Sequence, residues 1–370
     1  MPTEPVDFMD CALSLAKLAL GYTSPNPAVG AAIVKEGVIV GLGYTQPPGS
    51  AHAEVMALRQ AGGKAGGASL YVTLEPCCHF GRTPPCTQAI AEAGICEVHV
   101  AMLDPNPLVS GRGVEELKKV GIKVYLGEYG EKAQEINEAY TKFITTGLPF
   151  VTAKFAMSID GKIATRNGDS KWISSDEARK YVHNLRHTVD AIMVGANTVI
   201  VDDPRLTARG SCGKGGRAKL QPVRVIVDGK GRTPTSAQVF NQPGKTIVAV
   251  AKPLGAKRAK TFGKAGAEII ELPAENELID LLELLTELGK REITSVLVEG
   301  GSMLLGYLFD QGLVDKVVTF ISPVVIGGEK AKTAVGGKGV DKVAEALRIK
   351  QVKVDRIGDN LMVSGYLNKK

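Results

Sequence analysis

Apolar and polar positions alternate along the chain in two rhythms, one helical and one extended. Phe8, Cys11, Ala12, Leu15, Leu18 and Ala19 recur at helical spacing and predict an opening helix with that apolar face. Two β-branched runs, 29–35 and 38–44, flank Glu36-Gly37 and read as a hairpin. The pattern then predicts a helix over 52–61, a strand over 69–74 and a helix over 87–93 that stops at Gly94. A strand over 97–102, a helix over 113–120 ended by Gly121, a strand over 122–126 and a helix over 131–143 follow. After the hairpin, strands alternate with helices. A mixed sheet covered on both faces, a three-layer α/β sandwich, is the arrangement that buries such elements.

A short polar segment, Thr145-Thr146-Gly147-Leu148-Pro149, follows the last of these helices and predicts a boundary. It divides the chain into domains 1–146 and 147–370. The second part shows strands over 150–157, 191–194, 223–227, 246–250, 295–298, 317–321 and 361–365. Helices are expected over 176–187, 277–288 and 302–310, which makes this a second α/β domain. The Gly- and Lys-rich stretch 209–219 reads as a mobile loop. The 370 residues agree with two domains at roughly 150 residues each.

Composition narrows the function. Hydrophobic residues at 44% and charged residues at 23% exclude disorder, collagen and coiled coil as the overall class. No apolar run reaches the ~18 residues of a membrane span. Glu4, Asp7 and Asp10 interrupt the N-terminal segment, so no secretory signal is expected and the cytoplasm is the expected compartment. The net charge of +6 suits an anionic substrate. Aromatic residues at 5% and the lack of a dense Lys/Arg run argue against a nucleic-acid surface. Three of the six cysteines fall between Cys77 and Cys86, a clustering that points to metal or catalysis and not to a disulfide framework.

The strongest chemical signal is His52-Ala53-Glu54, followed by Pro76-Cys77 and then Cys86. One imidazole and two thiolates suit Zn²⁺ and leave a fourth tetrahedral position for water, which is the catalytic pattern. Such water ionises near pH ~7. Glu54, two residues beyond His52, is placed to carry its proton to a leaving amine. Zinc deaminases of nucleobases use the arrangement H-x-E…P-C-x-x-C in this way, with the glutamate as acid/base and not as a ligand. Here residues 78–85, not two residues, separate the cysteines. Thr83-Pro84-Pro85 can return the chain to the metal, because proline fixes φ and suits a first helical turn. Cys86 would then sit near a helix N-terminus, where the dipole favours thiolate. A closed zinc site that only staples the fold is the alternative, and it leaves Glu54 without a role. Cys78 and His79 read as neighbours without metal contact. Cys11 reads as core, Cys96 as flanking a strand and Cys212 as part of a loop.

These residues carry a resemblance. The segments Pro25-Asn26-Pro27-Ala28-Val29-Gly30, His52-Ala53-Glu54, residues 74–86 and Asp104-Pro105-Asn106-Pro107 together resemble the bifunctional riboflavin-biosynthesis deaminase/reductase family, in which the long cysteine gap is usual. The likeness continues through Lys154-Phe155-Ala156-Met157-Ser158-Ile159-Asp160-Gly161, Trp172-Ile173-Ser174 and residues 194–199 and 202–207, and ends at Val298-Glu299-Gly300-Gly301. It implies a cytidine-deaminase-like N-terminal domain and a dihydrofolate-reductase-like C-terminal domain. The first would deaminate 2,5-diamino-6-(5-phosphoribosylamino)pyrimidin-4-one. The second would reduce the ribosyl group of 5-amino-6-(5-phosphoribosylamino)uracil to ribityl with NADPH. Family analogy also implies a homo-oligomer. Asn26 can hydrogen-bond the sugar or ring, or equally form an Asx turn before proline. Lys35, His79, Arg82, Asp104 and Asn106 are further candidates for substrate contact.

In the second domain no G-x-G-x-x-G follows a strand, so a Rossmann dinucleotide site is not supported. An apolar strand instead runs into Glu299-Gly300-Gly301-Ser302 and a helix. Glycines allow close backbone approach, and free N–H groups at the helix start suit a pyrophosphate, an ordinary strand–turn–helix being the alternative. The resemblance places NADP phosphates at Gly301, Ser302, Met303, Leu304 and Leu305. It has Ala156, Trp172, Thr198 and Asp202 line the cofactor and Ser170, Arg186, Leu206, Arg209 and Glu299 contact the substrate. Arg186 and Arg209 can each grip phosphate with a charged fork. Trp172 can pack on the nicotinamide or anchor the core. Lys154, with Asp202, can assist proton transfer to the opening sugar. Residues 228–232 and Lys252 are candidates near the cofactor's 2′-phosphate. His183 and His187 share a helical face, but no third ligand follows, and they read as surface or interface residues. Two alternatives remain at this stage. One is a nucleic-acid-editing zinc deaminase with a binding appendage. The other is an active deaminase whose C-terminal module binds pyrimidine without catalysis.

Overall fold

The structure, a computed structural model, describes residues 7–80, 84–209, 220–275 and 278–367. Arg82, Cys212, Glu277 and most of the Gly/Lys-rich stretch, 210–219, lie outside the described residues. The chain divides into two compact units, Met1–Gly147 and Leu148–Lys370.

In the first unit the elements are α1 (Phe8–Ala19), β1 (Gly30–Lys35), β2 (Val38–Tyr44), α2 (Ala53–Ala61), β3 (Ser69–Val72), α3 (Cys86–Glu92), β4 (Glu97–Val100), α4 (Arg112–Lys119), β5 (Lys123–Leu126), α5 (Gly130–Ile136) and α6 (Glu138–Thr146). The strands lie in the order β2-β1-β3-β4-β5. The β1–β2 hairpin turns at Glu36 and Gly37, both at positive φ (52° and 75°), the pair of conformations that matches strand twist. β1 is antiparallel to both neighbours, and β3, β4 and β5 run parallel. Alternate strand residues face opposite ways. Ile33, Leu70 and Val98 pack against α2, α3 and α4, while Tyr71 packs with α1 and α5. The result is the three-layer sandwich.

Two details differ from the sequence pattern. The buried face of α1 is Met9, Ala12, Leu13, Ala16 and Ala19, whereas Leu18 is 42% exposed. The helix lies so close to β1 that a Cβ on Gly30 would be 1.9 Å from the Ala12 carbonyl oxygen, so small residues, Ala12 and Ala16, meet β1 there while Met9 and Leu13 are buried beside them. The expected helix over 131–143 breaks at Asn137 into α5 and α6. The buried Asn137 amide accepts from the Ala28 N–H (2.9 Å) and donates to the Ala28 carbonyl (3.1 Å), which replaces helical continuity with a clamp on a distant loop.

The second unit contains β6 (Phe150–Ser158), α7 (Asp176–Arg186), β7 (Ala191–Gly195), α8 (Ala196–Asp202), β8 (Val223–Val227), β9 (Thr246–Ala251), α9 (Ala256–Lys264), β10 (Ala267–Leu272), β11 (Ala274–Glu275), β12 (Leu278–Ile279), α10 (Leu281–Gly289), β13 (Ser295–Glu299), α11 (Ser302–Asp310), β14 (Lys316–Ser322), β15 (Ile349–Ile357) and β16 (Asn360–Leu367). Nine strands form one sheet in the order β10-β9-β8-β7-β13-β6-β14-β16-β15. They are parallel from β10 to β14, and β16 and β15 add an antiparallel edge. The helix expected over 277–288 begins only at Leu281, where Asp280 caps it by accepting from the Leu282 and Glu283 amides. Among the described residues no helix is long and apolar enough to cross a membrane.

Candidate active sites

α2 carries the first site on its opening turn. It can lie tight on β2 because Gly41 and Gly43 have no side chains. A Cβ on Gly43 would fall 2.1 Å from the Ala53 carbonyl oxygen. His52 occupies the N-cap position of α2 and Glu54 its first turn. Cys77 follows β3, and Cys86 opens α3 directly after Pro85, donating its backbone N–H to Cys77 Sγ at 3.4 Å. His52 Nδ1 lies 3.6 Å from Cys77 Sγ and 3.3 Å from Cys86 Sγ. The three ligand atoms all lie within 4.8 Å of one another. A tetrahedral zinc with ordinary Zn–N and Zn–S lengths requires N···S edges of roughly 3.5 Å, so the donor set fits that ion in type and spacing. Cys78 is half-buried and outside this cluster, and burial pushes its thiol up.

The groups polarise one another. A hydrogen bond with the Cys86 side chain, then those from His52 and the Cys86 amide, hold the Cys77 thiol down to about 4. The hydrogen bond to Cys77 lifts His52 to about 8. Glu54 is 4% exposed, and burial first, then the charge of Cys77, push its carboxyl up to about 7.

His52, Glu54 and Cys77 line a cavity of about 320 Å³ together with Asn26, His79, Asp104, Asn106 and Tyr140, while Cys86 is fully buried and outside the lining. Three residues that the sequence pattern does not reveal build its walls. The Asn137 clamp holds the segment after Asn26-Pro27. The buried Glu75 carboxylate accepts from the amides of Asp104 (3.1 Å), Gly111 (2.8 Å) and Val114 (3.1 Å) and so fixes the loop. Tyr140 donates its hydroxyl to Asp104 at 2.9 Å. His79 Nδ1 is buried without a hydrogen-bond partner. Lys35 does not line the cavity; its Nζ donates to the Gly66 carbonyl at 2.6 Å.

A second cavity, of about 800 Å³, opens in the second unit. Ser170, Thr198, Asp202, Gly301, Ser302, Met303 and Leu304 line it. Gly301 caps α11 at φ 81°, and a Cβ there would stand 3.4 Å from Thr198 Oγ1. The bare backbone and the free amides that open α11 form a cradle suited to the pyrophosphate of a dinucleotide. Lys230 and Arg232 add positive charge to the lining, and Arg232 donates to Asn197 Oδ1 at 2.9 Å. Lys252 is not among the lining residues. Leu305 is 1% exposed in the core, and its N–H closes on the Gly301 carbonyl at 3.0 Å. Ala156 is half-buried on β6. Trp172 is no core anchor: it is 71% exposed, with the Arg179 guanidinium 4.5 Å from its ring centre.

Strand register builds a charged group from the remaining residues. β6 and β13 are paired so that Lys154 and Glu299 are partners, with Lys154 Nζ 3.9 Å from the Glu299 carboxylate. Arg186 of α7 donates through Nε (2.5 Å) and Nη2 (2.9 Å) to Glu299, and through Nη1 to the Thr207 carbonyl (3.0 Å). Three of its five N–H donors are therefore engaged. Burial opposes charge on Glu299, but Arg186 and Lys154 outweigh it and hold the carboxyl below its usual range. Burial pushes the Lys154 ammonium down against the pull of Glu299. Arg209 is exposed and donates to Thr207 Oγ1 at 3.2 Å, and Leu206 is buried. His183 on α7 and His187 at its C-cap are half-buried.

The folds and sites define a zinc deaminase unit followed by a reductase unit of the dihydrofolate-reductase type. Residues 2–102 match the cytidine and deoxycytidylate deaminase zinc-binding region, and residues 149–363 match the RibD C-terminal domain. The riboflavin biosynthesis protein RibD of Aquifex aeolicus (strain VF5) is 46% identical over 357 residues, 96% of this chain and 97% of that one. The RibD of Escherichia coli (strain K12) is 39% identical over 364 residues, 96% and 97% of the two chains. The solved structure of Acinetobacter baumannii RibD, form 1, superposes with a TM-score of 0.86 at 37% identity, covering 98% of each chain. The diaminohydroxyphosphoribosylaminopyrimidine deaminase/5-amino-6-(5-phosphoribosylamino)uracil reductase of Thermotoga maritima gives a TM-score of 0.83 at 36% identity, also over 98% of each. The chain belongs to the RibD family, the bifunctional zinc-dependent deaminases and NADPH-dependent reductases of riboflavin biosynthesis. With both parts matched, neither a nucleic-acid-editing deaminase nor a non-catalytic second domain is favoured.

Proposed function

We propose that the two reactions occupy the two cavities separately, deamination within domain 1–146 and reduction within domain 147–370. The observation that carries the reading is the His52, Cys77 and Cys86 cluster whose His52 and Cys77, with buried Glu54, open onto one cavity.

Zinc held by His52, Cys77 and Cys86 would supply an acidified water for attack on the ring carbon bearing the amine. Glu54 receives the proton released in the attack and delivers it to the amine nitrogen, which leaves as ammonia. Asn26 and His79 face the substrate, while Asp104 and Asn106, fastened by Glu75 and Tyr140, position its sugar.

In the second cavity NADPH supplies the hydride. Gly301, Ser302, Met303 and Leu304 bind its pyrophosphate, with Leu305 completing the turn behind them. Thr198 and Asp202 in the lining, with Ala156 and Trp172 outside it, would hold the nicotinamide end, and Lys230 with Arg232 would face the adenosine end. Bound NADPH would deliver that hydride to C1′ of the ribosyl group; Lys154 gives a proton to the ring oxygen freed as its bond to C1′ breaks. Glu299, oriented by Arg186, holds Lys154 and the sugar hydroxyls. Arg186 keeps two N–H groups for substrate, and Arg209, Ser170 and Leu206 complete the phosphoribosyl site.

The ligands are phosphorylated pyrimidines, with no role for nucleic acid or membrane. The setting we propose is the cytoplasm, where the thiols of Cys77 and Cys86 stay reduced. We further propose a homo-oligomer, by family analogy. A coupled assay on the diaminopyrimidine phosphate, following ammonia and NADPH oxidation with zinc quantified on the same sample, tests the whole reading. Ammonia release from zinc-depleted protein at the full rate would overturn the deaminase assignment.

A further inference from the structure

The adenosine end of the second site decides between NADPH and NADH, and no motif in the sequence settles that choice. The sheet supplies an order. β13, β7 and β8 are parallel neighbours, so they end at one edge. Gly301 follows β13, and Lys154 with Glu299, on the β6 side, marks the reacting end. The opposite direction from Gly301 leads, across two strand spacings of roughly 5 Å each, to the turn after β8. Lys230 and Arg232 of that turn line the cavity of about 800 Å³. Leu278 and Ile279 of β12, which lies against the neighbouring β9, and Tyr307 of α11 give the lining an apolar wall suited to a flat base.

The turn is held from three sides. Gly231, at φ 63°, donates its N–H to the Asp228 carbonyl at 2.9 Å. Arg258 of α9 donates to the carbonyls of Gly231 and Thr233. Arg232 Nη2 donates to Asn197 Oδ1 of α8 at 2.9 Å. A carboxylate presented at such a strand end accepts from the ribose 2′-hydroxyl and repels a 2′-phosphate, whereas an arginine there accommodates the phosphate. Asp228 is the acid of this turn, and it faces inward. It is 2% exposed, Oδ2 accepts from the Thr233 amide (2.7 Å) and hydroxyl (2.6 Å), and Oδ1 is buried. Arg232 faces outward. It is exposed, forms no ion pair among the described residues, and its one bonded N–H goes to a neutral amide. Four of its five donors are left for a ligand. With Lys230 and Arg258, three cations stand about the turn against that single inward carboxylate.

We propose that Arg232, oriented by Asn197 and joined by Lys230, grips the 2′-phosphate of NADPH and so selects it over NADH. The fork of a guanidinium matches a phosphate dianion, and Lys230 adds a point charge. Lys338 is the competing cation of the lining, but its amide is fastened to Asp310 at the C-terminal end of α11 (2.7 Å), away from the strand ends. The proposal rests on the reading that the cofactor's pyrophosphate lies at Gly301.

Calorimetry on the full-length zinc-loaded protein tests this with two probes, adenosine 2′,5′-bisphosphate and 5′-AMP, which differ only in the 2′-phosphate. The wild type is expected to bind the bisphosphate ~100-fold more tightly. In Arg232→Gln, folded by near-ultraviolet dichroism, that ratio should fall at least ~10-fold. Asn197→Ala should lower it by a smaller factor, and Lys338→Gln should leave it within about twofold. An unchanged ratio in folded Arg232→Gln overturns the proposal, as does a ratio that collapses in Lys338→Gln instead. Gly301→Ala separates the two levels, because a Cβ there intrudes at the cradle for the 5′-phosphate that both probes share. If it weakens neither probe, the pyrophosphate lies elsewhere, and the underlying reading fails with the proposal. If it weakens both while Arg232→Gln keeps the wild-type ratio, only the role of the turn falls.

Discussion

In the proposed first reaction Glu54 carries the proton, being a carboxyl buried two residues from the ligand His52 and lining the cavity. Glu54→Gln keeps size and hydrogen bonding but cannot carry a proton. It should retain zinc and lose ~10²–10⁴-fold in ammonia release, as removal of a general acid/base does. Elemental analysis and an ammonia assay on one sample check both halves, and full turnover would remove Glu54 from the mechanism. The two adjacent cysteines separate in the same way. Cys86→Ser should lose most of its zinc, while Cys78→Ser should keep about one ion per chain, since Cys78 is outside the ligand cluster. The reverse result would reassign the ligand. The metal residues are legible in sequence because a metal restricts both residue type and spacing. Glu75, Asn137 and Tyr140 are not legible, because a side chain that binds backbone amides or carbonyls far along the chain leaves no periodic trace.

At the scale of elements, the site depends on how closely α2 lies on β2. A methyl group at position 43 would fall 2.1 Å from the Ala53 carbonyl oxygen, beside the turn that carries His52 and Glu54. Gly43→Ala must therefore push the first turn of α2 outward. The expected cost is about 1–3 kcal/mol of stability, the usual penalty for overpacking, together with weaker zinc retention under a competing chelator. Gly63→Ala is the control, since a Cβ there meets nothing within 4 Å. Equal zinc retention by Gly43→Ala and wild type would show that the helix position does not govern the metal site. A similar closeness of α1 to β1 at Gly30 explains why Ala12 and Ala16 are buried while Leu18 is exposed. Other elements escape the pattern for their own reasons. α8 (ANTVIVD) is β-branched and reads as extended. β15 is exposed along almost its whole length at the sheet edge, so it carries no buried alternation to detect. The helix over 131–143 is periodic throughout, and only the distant Ala28 contact breaks it.

At the scale of the whole molecule, the described lining of each cavity falls within one unit, so the proposed assignment of one reaction to each predicts that mutation separates the two activities. The alternation of strands and helices announces two α/β layers in sequence. The order of the nine-stranded sheet, with β13 inserted between β7 and β6, is not legible, because parallel neighbours are joined through long crossovers and leave no local mark. That insertion is what brings Glu299 beside Lys154 and within reach of Arg186. Glu299→Ala removes the shared partner of two buried cations. It should cost roughly 3–5 kcal/mol of stability in the second unit, as loss of one member of a buried ion pair does. Glu299→Gln, which preserves shape, separates this cost from chemistry. In folded Glu299→Gln, NADPH oxidation should fall by at least ~10²-fold, because the groups that hold Lys154 and the sugar lose their charge complement. Ammonia release from the diaminopyrimidine should stay within about twofold of wild type, since the sites share no lining residue. Parallel loss of both activities in protein that retains its zinc and its near-ultraviolet dichroism would mean that the two reactions do not have independent centres.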